Sequence, residues 1–229
     1  MIVLKKLFSV VTATVVAFGM SVTPVFAGSF VPPAQTTTGT AVIQEDGTDT
    51  TSDIPVYGYI GPDVVITDGD PGDPDVPPTI EGEPKDINVA VPVKIMWAAF
   101  ASDEGDVTSP TYYIKNLSYG SYGSKIEISV ADFDGANSDA AAVKSGLTLK
   151  MIDMDNPTST VDLLNSSHAY TTGGTAFVTL NQGASPTSLE VWNFSIGGFF
   201  GGDFPGMGSA SAIDKYQPEY NLTFKFEVV

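Results

Sequence analysis

Apolar and polar positions alternate most clearly in two stretches of the chain. In "KIEISV", Ile126, Ile128 and Val130 share one side, and in "NLTFKFEV" so do Leu222, Phe224 and Phe226. A period of two puts such residues on one face of a β-strand, and that face needs a second apolar layer against it. The runs "INVAVPVKIMWAAF", "TYYIKNLS", "LTLKMID", "AFVTL" and "SLEVWNFSI" are also strand-like, separated by Gly, Asn, Asp and Ser turns. The first reads as one strand or as two joined at Pro92, since proline removes a ladder donor. Within it Ile95, Trp97 and Ala99 fall on one side and Met96, Ala98 and Phe100 on the other. Both faces are therefore apolar, as in a strand inside a sandwich or beside a covering loop. The one helical candidate is "NSDAAAVKSG", Asn137 to Gly146, with Ser138 or Asp139 as its cap. Seven or so short strands from Lys85 to Val229 predict an all-β domain, either a two-layer β-sandwich or a Greek-key barrel-like fold.

Upstream the texture differs. Lys5 and Lys6 precede the apolar run "LFSVVTATVVAFGM", and "VTPVFA" closes with small residues at Val25 and Ala27. That order is the signal-peptide pattern, and the run is too short to cross a bilayer, so residues 1–27 are expected to direct secretion and be removed. Residues 28–84 hold eleven acids and no lysine, with clusters such as "TTTGT" and "DGDPGDPDVPP". This reads as an acidic, largely disordered spacer before a domain spanning 85–229. "IPVYGYIGPDVVIT", Ile54 to Thr67, is the exception: a short hairpin, a strand lent to the domain, or an apolar segment within the spacer.

Charge and residue types narrow the chemistry. Lys5 and Lys6 account for two of the ten basic residues, all lysine, so residues 28–229 carry eight lysines against 27 acids, a formal charge of −19. Such a field repels phosphate backbones and anionic headgroups, which argues against nucleic-acid and membrane-surface partners. With no cysteine, disulfide staples and thiol chemistry are excluded. His168, the one histidine, sits in the polar turn "LNSSHAY" without a Gly-x-Ser-x-Gly elbow, so a Ser-His-Asp set is not expected. The acids Asp68, Asp70, Asp73 and Asp75 fail the EF-hand spacing because Pro71, Asp73 and Thr79 occupy its fourth, sixth and twelfth positions. Asp103, Glu104 and Asp106 read as a solvated turn. No catalytic, metal or cofactor motif emerges, and a non-enzymatic protein is expected.

The aromatic residues are the remaining candidates for contact. Tyr119 and Tyr122 lie in the glycine-rich "LSYGSYGSK", and Phe199, Phe200 and Phe204 in "IGGFFGGDFPGMG", read as a long connection. Either these loops are lids over the core or their rings form a partner site, and tyrosines on a sandwich can also stack on sugar rings. Trp97 and Trp192 read as core.

The layout of export signal, acidic spacer, "VTSPTYYIKNLS" and the ending "YNLTFKFEVV" resembles the WxL-domain surface proteins of Gram-positive bacteria. The resemblance implies a β-rich C-terminal domain held non-covalently on peptidoglycan or another wall polymer, with an adhesive or structural role at the cell surface. Candidate wall or partner contacts, from the aromatic loops and the motif-like segments together, are Trp97, Tyr119, Tyr122, Trp192, Phe194, Phe199, Phe200, Phe204, Phe224 and Phe226. No literal Trp-x-Leu is present: Trp192-Asn193-Phe194 and Phe224-Lys225-Phe226 stand where that motif would lie. There is no Leu-Pro-x-Thr-Gly sorting signal. Alternatives are a carbohydrate-binding module, or a filament or surface-complex subunit that self-assembles by lending a strand such as "VYGYI" or "DVVIT".

Overall fold

A computed structural model describes residues 28–30, 40–66, 85–120, 123–205 and 215–229. The expected export signal, the acidic run from Asp68, Tyr122 and Met207 lie outside the described residues. The elements are β1 (Gly28–Phe30), β2 (Thr40–Glu45), β3 (Asp49–Gly61), β4 (Val64–Ile66), β5 (Ile87–Pro92), β6 (Ile95–Phe100), β7 (Asp106–Thr108) and β8 (Tyr112–Asn116). There follow β9 (Ile126–Gly135), a short helix α1 (Ser138–Val143), β10 (Leu147–Asp153), β11 (Thr160–Leu164), β12 (Thr172–Leu180), β13 (Val191–Phe200) and β14 (Glu219–Val228).

Twelve of these strands form one mixed sheet in the order β12-β9-β14-β3-β6-β7-β13-β8-β5-β2, with β10 on the other side of β13 and β11 beyond it. β3 runs parallel to β6, the other pairings in this sheet are antiparallel, and β1 with β4 makes a separate parallel pair. Among the described residues no ladder closes the ends of this strand order on one another, so the sheet is open and the barrel-like alternative is not realised.

The alternating stretches behave as a period of two requires. Ile126, Ile128 and Val130 of β9 and Leu222, Phe224 and Phe226 of β14 are all fully buried. Rings from strands that are not neighbours in the sheet meet across this core. Phe194 of β13 stands edge-on to Phe224 of β14 at 6.1 Å, and Phe177 of β12 edge-on to Trp192 of β13 at 5.0 Å. Phe133, Tyr220 and Trp97 continue the cluster, with Phe133 stacked on Tyr220 at 4.9 Å. "INVAVPVKIMWAAF" divides into β5 and β6, as Pro92 allows. Both faces of β6 are buried: Ile95, Trp97 and Ala99 in the main core, Met96 and Ala98 in a second cluster with Tyr57 and Tyr59.

Residues 40–61 are the largest departure from the expected boundary at Lys85. β2 pairs along all of β5. β3 pairs with β14 from Asp49 to Tyr57 and with β6 from Val56 to Gly61, and it buries Ile54, Val56, Tyr57, Tyr59 and Ile60. The strand forms because apolar residues of β3 fill the space between β14 and β6, a gain invisible in its acidic surroundings. Gly58 makes the approach possible: a Cβ there would lie 2.3 Å from Trp97 Cζ2 and 2.8 Å from Pro218 Cγ. The cap of α1 also differs from expectation. Asn137, one residue earlier than Ser138, accepts the Ala140 N–H at 2.9 Å and donates to the Gln217 carbonyl at 2.9 Å.

Two buried phenols test the polar side of the core. Tyr112 Oη accepts the Met96 N–H at 2.7 Å, whereas Tyr220 Oη has no hydrogen-bond partner among the described residues. Removing a partner strands a buried donor, which costs about 1–3 kcal/mol, while removing an unpartnered hydroxyl costs little. Tyr112→Phe is therefore expected to lower stability by about 1–3 kcal/mol and Tyr220→Phe to leave it unchanged or raise it, read from urea midpoints. Burial holds both phenols well above their ordinary range, with the Met96 bond partly offsetting it at Tyr112 and Tyr170 adding to it at Tyr220. A folded-state pKa above the unfolded one gives stability that is complete below about pH 10 and lost as the pH rises beyond it. Each phenol contributes a fall of about 1.4 kcal/mol per pH unit there, so unfolding free energy is expected to be insensitive to these groups at pH 8 and to drop steeply by pH 11.

Candidate functional site

A trough on the outer face of β12, β9 and β14 arises from a mismatch in strand length. Between the levels of Asp132 and Val130, β14 passes directly from Thr223 to Phe224, β9 inserts Ala131, and β12 inserts Gly173 and Gly174. Zero, one and two extra residues in successive strands splay the sheet toward its edge, as stacked bulges do. The extra residue in β9 also shifts its alternation, which is why Phe133 rather than Asp132 faces the core. Gly173 and Gly174 take φ of +87° and +57°, a region open to glycine. The resulting groove of about 240 Å³ is floored by Ser129, Ala131, Gly173, Gly174 and Ala176 and flanked by Glu127, Lys225 and Glu227.

Its charges are set by register. Glu227 stands opposite Glu127 on one side and Asp49 on the other, so three carboxylates cross β9, β14 and β3 in a row. Lys225 Nζ lies 2.8 Å from Glu227 Oε2 and 3.4 Å from Asp49 Oδ2. The hydrogen bond to Glu227 is the main reason its ammonium pKa is raised above the usual lysine value. Asp53 and Asp132 extend the acidic face, with Thr223 Oγ1 donating to Asp53 at 2.6 Å. Chemically this is an open polar recess offering several carboxylate acceptors and one ammonium donor over a floor of small residues. It suits contact with an extended polar ligand.

No known protein family, curated protein or solved structure matches this chain.

The aromatic candidates are distributed differently from a surface patch. Trp97, Trp192, Phe194, Phe200, Phe224 and Phe226 are buried, and Phe204 is half-buried edge-on to Phe200 at 5.2 Å. Tyr119 and Phe199 are exposed, at 39% and 48%. They do not share a platform. Tyr119 bridges to Gly183 beyond the Val191 end of β13, while Phe199 lies near its other end, about 25 Å along a strand. The run "IGGFF", read as part of a long connection, is strand β13 through Phe200. Gly198 is required there because a Cβ would meet the Thr148 carbonyl oxygen of β10 at 2.0 Å.

The polar candidates hold turns. Glu104 adopts φ +57° in a turn closed by its N–H on the Ala101 carbonyl at 3.3 Å, and Asp103, Glu104 and Asp106 are exposed. His168, also at positive φ, directs Nδ1 toward the Leu147 carbonyl at 3.2 Å. Among the described residues no group of three or more His, Cys, Asp or Glu is placed to hold a metal ion.

Asn116 was missed as a positioning residue. Fully buried, it donates Nδ2 to the carbonyls of Ser124 at 2.9 Å and Asn181 at 3.1 Å and accepts the Ser118 N–H at 3.0 Å. It thereby ties the Tyr119 loop to the segment after β12. An asparagine closing the apolar run "TYYIKN" is the signal that marks it, since buried amides need several partners.

Proposed function

We propose that the chain is an exported, non-enzymatic surface module, a two-layer β-sandwich that associates with the Gram-positive cell wall in an adhesive or structural role. The observation that carries the reading is the meeting of the two segments that occupy the places of the family's paired motifs. Trp192 stacks on Phe194 at 4.8 Å, Phe194 reaches Phe224 across the core, and Phe226 continues from Phe224 at 6.2 Å. In this reading the motifs act as the clasp between layers, and phenylalanine in place of leucine keeps that apolar clasp while changing its shape. Contact with peptidoglycan or another wall polymer, or with other surface proteins, then falls to the outside: the trough beside Glu127, Lys225 and Glu227, with Tyr119 and Phe199 as separate apolar points.

Co-sedimentation of residues 28–229 with isolated Gram-positive walls tests this. Saturable binding is expected, weakened at least tenfold by Ala176→Trp, which fills the trough from an exposed position without touching the core. Protein that stays in the supernatant at every concentration would overturn the reading.

A further inference from the structure

We infer that β3 is an exchangeable strand, and that the chain associates with a second copy of itself by trading residues 40–61 between the two. The argument starts from where this segment finds its partners. Its sheet ladders all run to the part of the chain after residue 85: β2 to β5, β3 to β14 and β3 to β6. Its smaller ties do the same. Gly47 N–H donates to Asp86 at 3.0 Å, Lys85 pairs with Asp46 at 2.6 Å, and the Thr48 carbonyl accepts from Val228 at 2.8 Å. The turn joining β2 to β3 is only residues 46–48, so an exchange of β3 has to carry β2 with it.

A second copy presents the same edges, so the energy of the ladders is the same whichever copy supplies the strand. The fit is specific to this chain, because the slot over the Trp97 ring admits β3 only with glycine at position 58. Reach is bounded by chain length alone: the 25 residues 62–86 can span at most roughly 80 Å. What favours the closed single chain is effective concentration, in the millimolar range for such a tether. Exchange is therefore expected when the protein folds at concentrations approaching that, as in other swaps of an identical element.

The absence of native cysteine makes disulfide trapping clean. Asp53 and Thr223 face one another across β3 and β14, Asp53 exposed and Thr223 half-buried. Residues 28–229 carrying Asp53→Cys and the same chain carrying Thr223→Cys are unfolded, mixed and refolded together from micromolar to millimolar concentration in a thiol-disulfide buffer. The expected result is a dimer bridged from position 53 to position 223, rising with concentration and at least fivefold above a collision control pairing Asp53→Cys with Ser185→Cys. The double variant Asp53→Cys, Thr223→Cys reports the register itself and is expected to bridge within one chain at micromolar concentration. No excess over the control at any concentration would overturn the inference, and so would a double variant that fails to bridge. Wall binding is not involved in either readout, so this result and that of the co-sedimentation stand independently.

Discussion

A chain beginning at Lys85 is expected not to fold. Among the described residues β3 is the strand that joins β14 to β6 in the sheet order, so its loss breaks the ladder between the group β12, β9, β14 and the group that starts at β6. It also removes five buried side chains, Ile54, Val56, Tyr57, Tyr59 and Ile60. At about 1.5–3 kcal/mol each, their burial is worth roughly 10 kcal/mol, comparable to the whole 5–15 kcal/mol stability of an ordinary domain. The edges of β14 and β6 left behind would expose Trp97 and Tyr220 and invite pairing with other chains. Residues 85–229 should therefore show no cooperative thermal transition by circular dichroism, while residues 28–229 show one. A cooperative transition in the short form would contradict the position assigned to β3.

The second large effect is expected at Gly58. Its Cβ would sit 2.3 Å from Cζ2 and 2.5 Å from Cε2 of Trp97, a ring that is fully buried and has no room to turn aside. Overpacking of this kind costs about 1–3 kcal/mol where neighbours yield, and more where they do not. Gly58→Ala is expected to lower stability by about 3 kcal/mol. Combined with Trp97→Phe, which shortens the ring, part of that loss should return, so the double variant is more stable than the sum of the single changes predicts. Urea midpoints of the four proteins decide it, and strict additivity would show that the two residues do not share the slot.

Much of the β architecture was legible from local pattern. The alternation of Ile126, Ile128 and Val130 and of Leu222, Phe224 and Phe226 is a property of one strand, and burial on one face follows from it. The two-faced character of β6 was equally local. What the sequence concealed depends on partners far along the chain. β3 opens with "DTTSD", which looks like spacer, and its apolar half is matched to β14, more than 160 residues away. The extent of β13 was hidden because Gly197 and Gly198 suggest a loop, whereas they allow β10 to approach closely. The trough was partly readable: two glycines in the otherwise strand-like "TTGGTAF" point to a bulge. That Ala131 lies beside them in the next strand is a matter of register, which no single run of residues specifies.

The same division explains why sequence alone does not separate the buried rings from the exposed ones, Tyr119 and Phe199. Large rings in strands and glycine-rich turns look alike in sequence whether they fill a core or face a ligand. Here the acidic, small-residue side of the sheet is left outside, and the rings of the two motif-like segments are buried in the core.

The position of β3 underlies both the wall-module reading and the strand exchange, and native-state hydrogen exchange on residues 28–229 tests it most directly. Amides of Ile54 to Ile60 are expected to exchange as slowly as those of Leu222 to Phe226, because both belong to one cooperative sheet. Exchange at Ile54 to Ile60 as fast as in an unfolded peptide would contradict it, and the domain would then have to be built without its central strand.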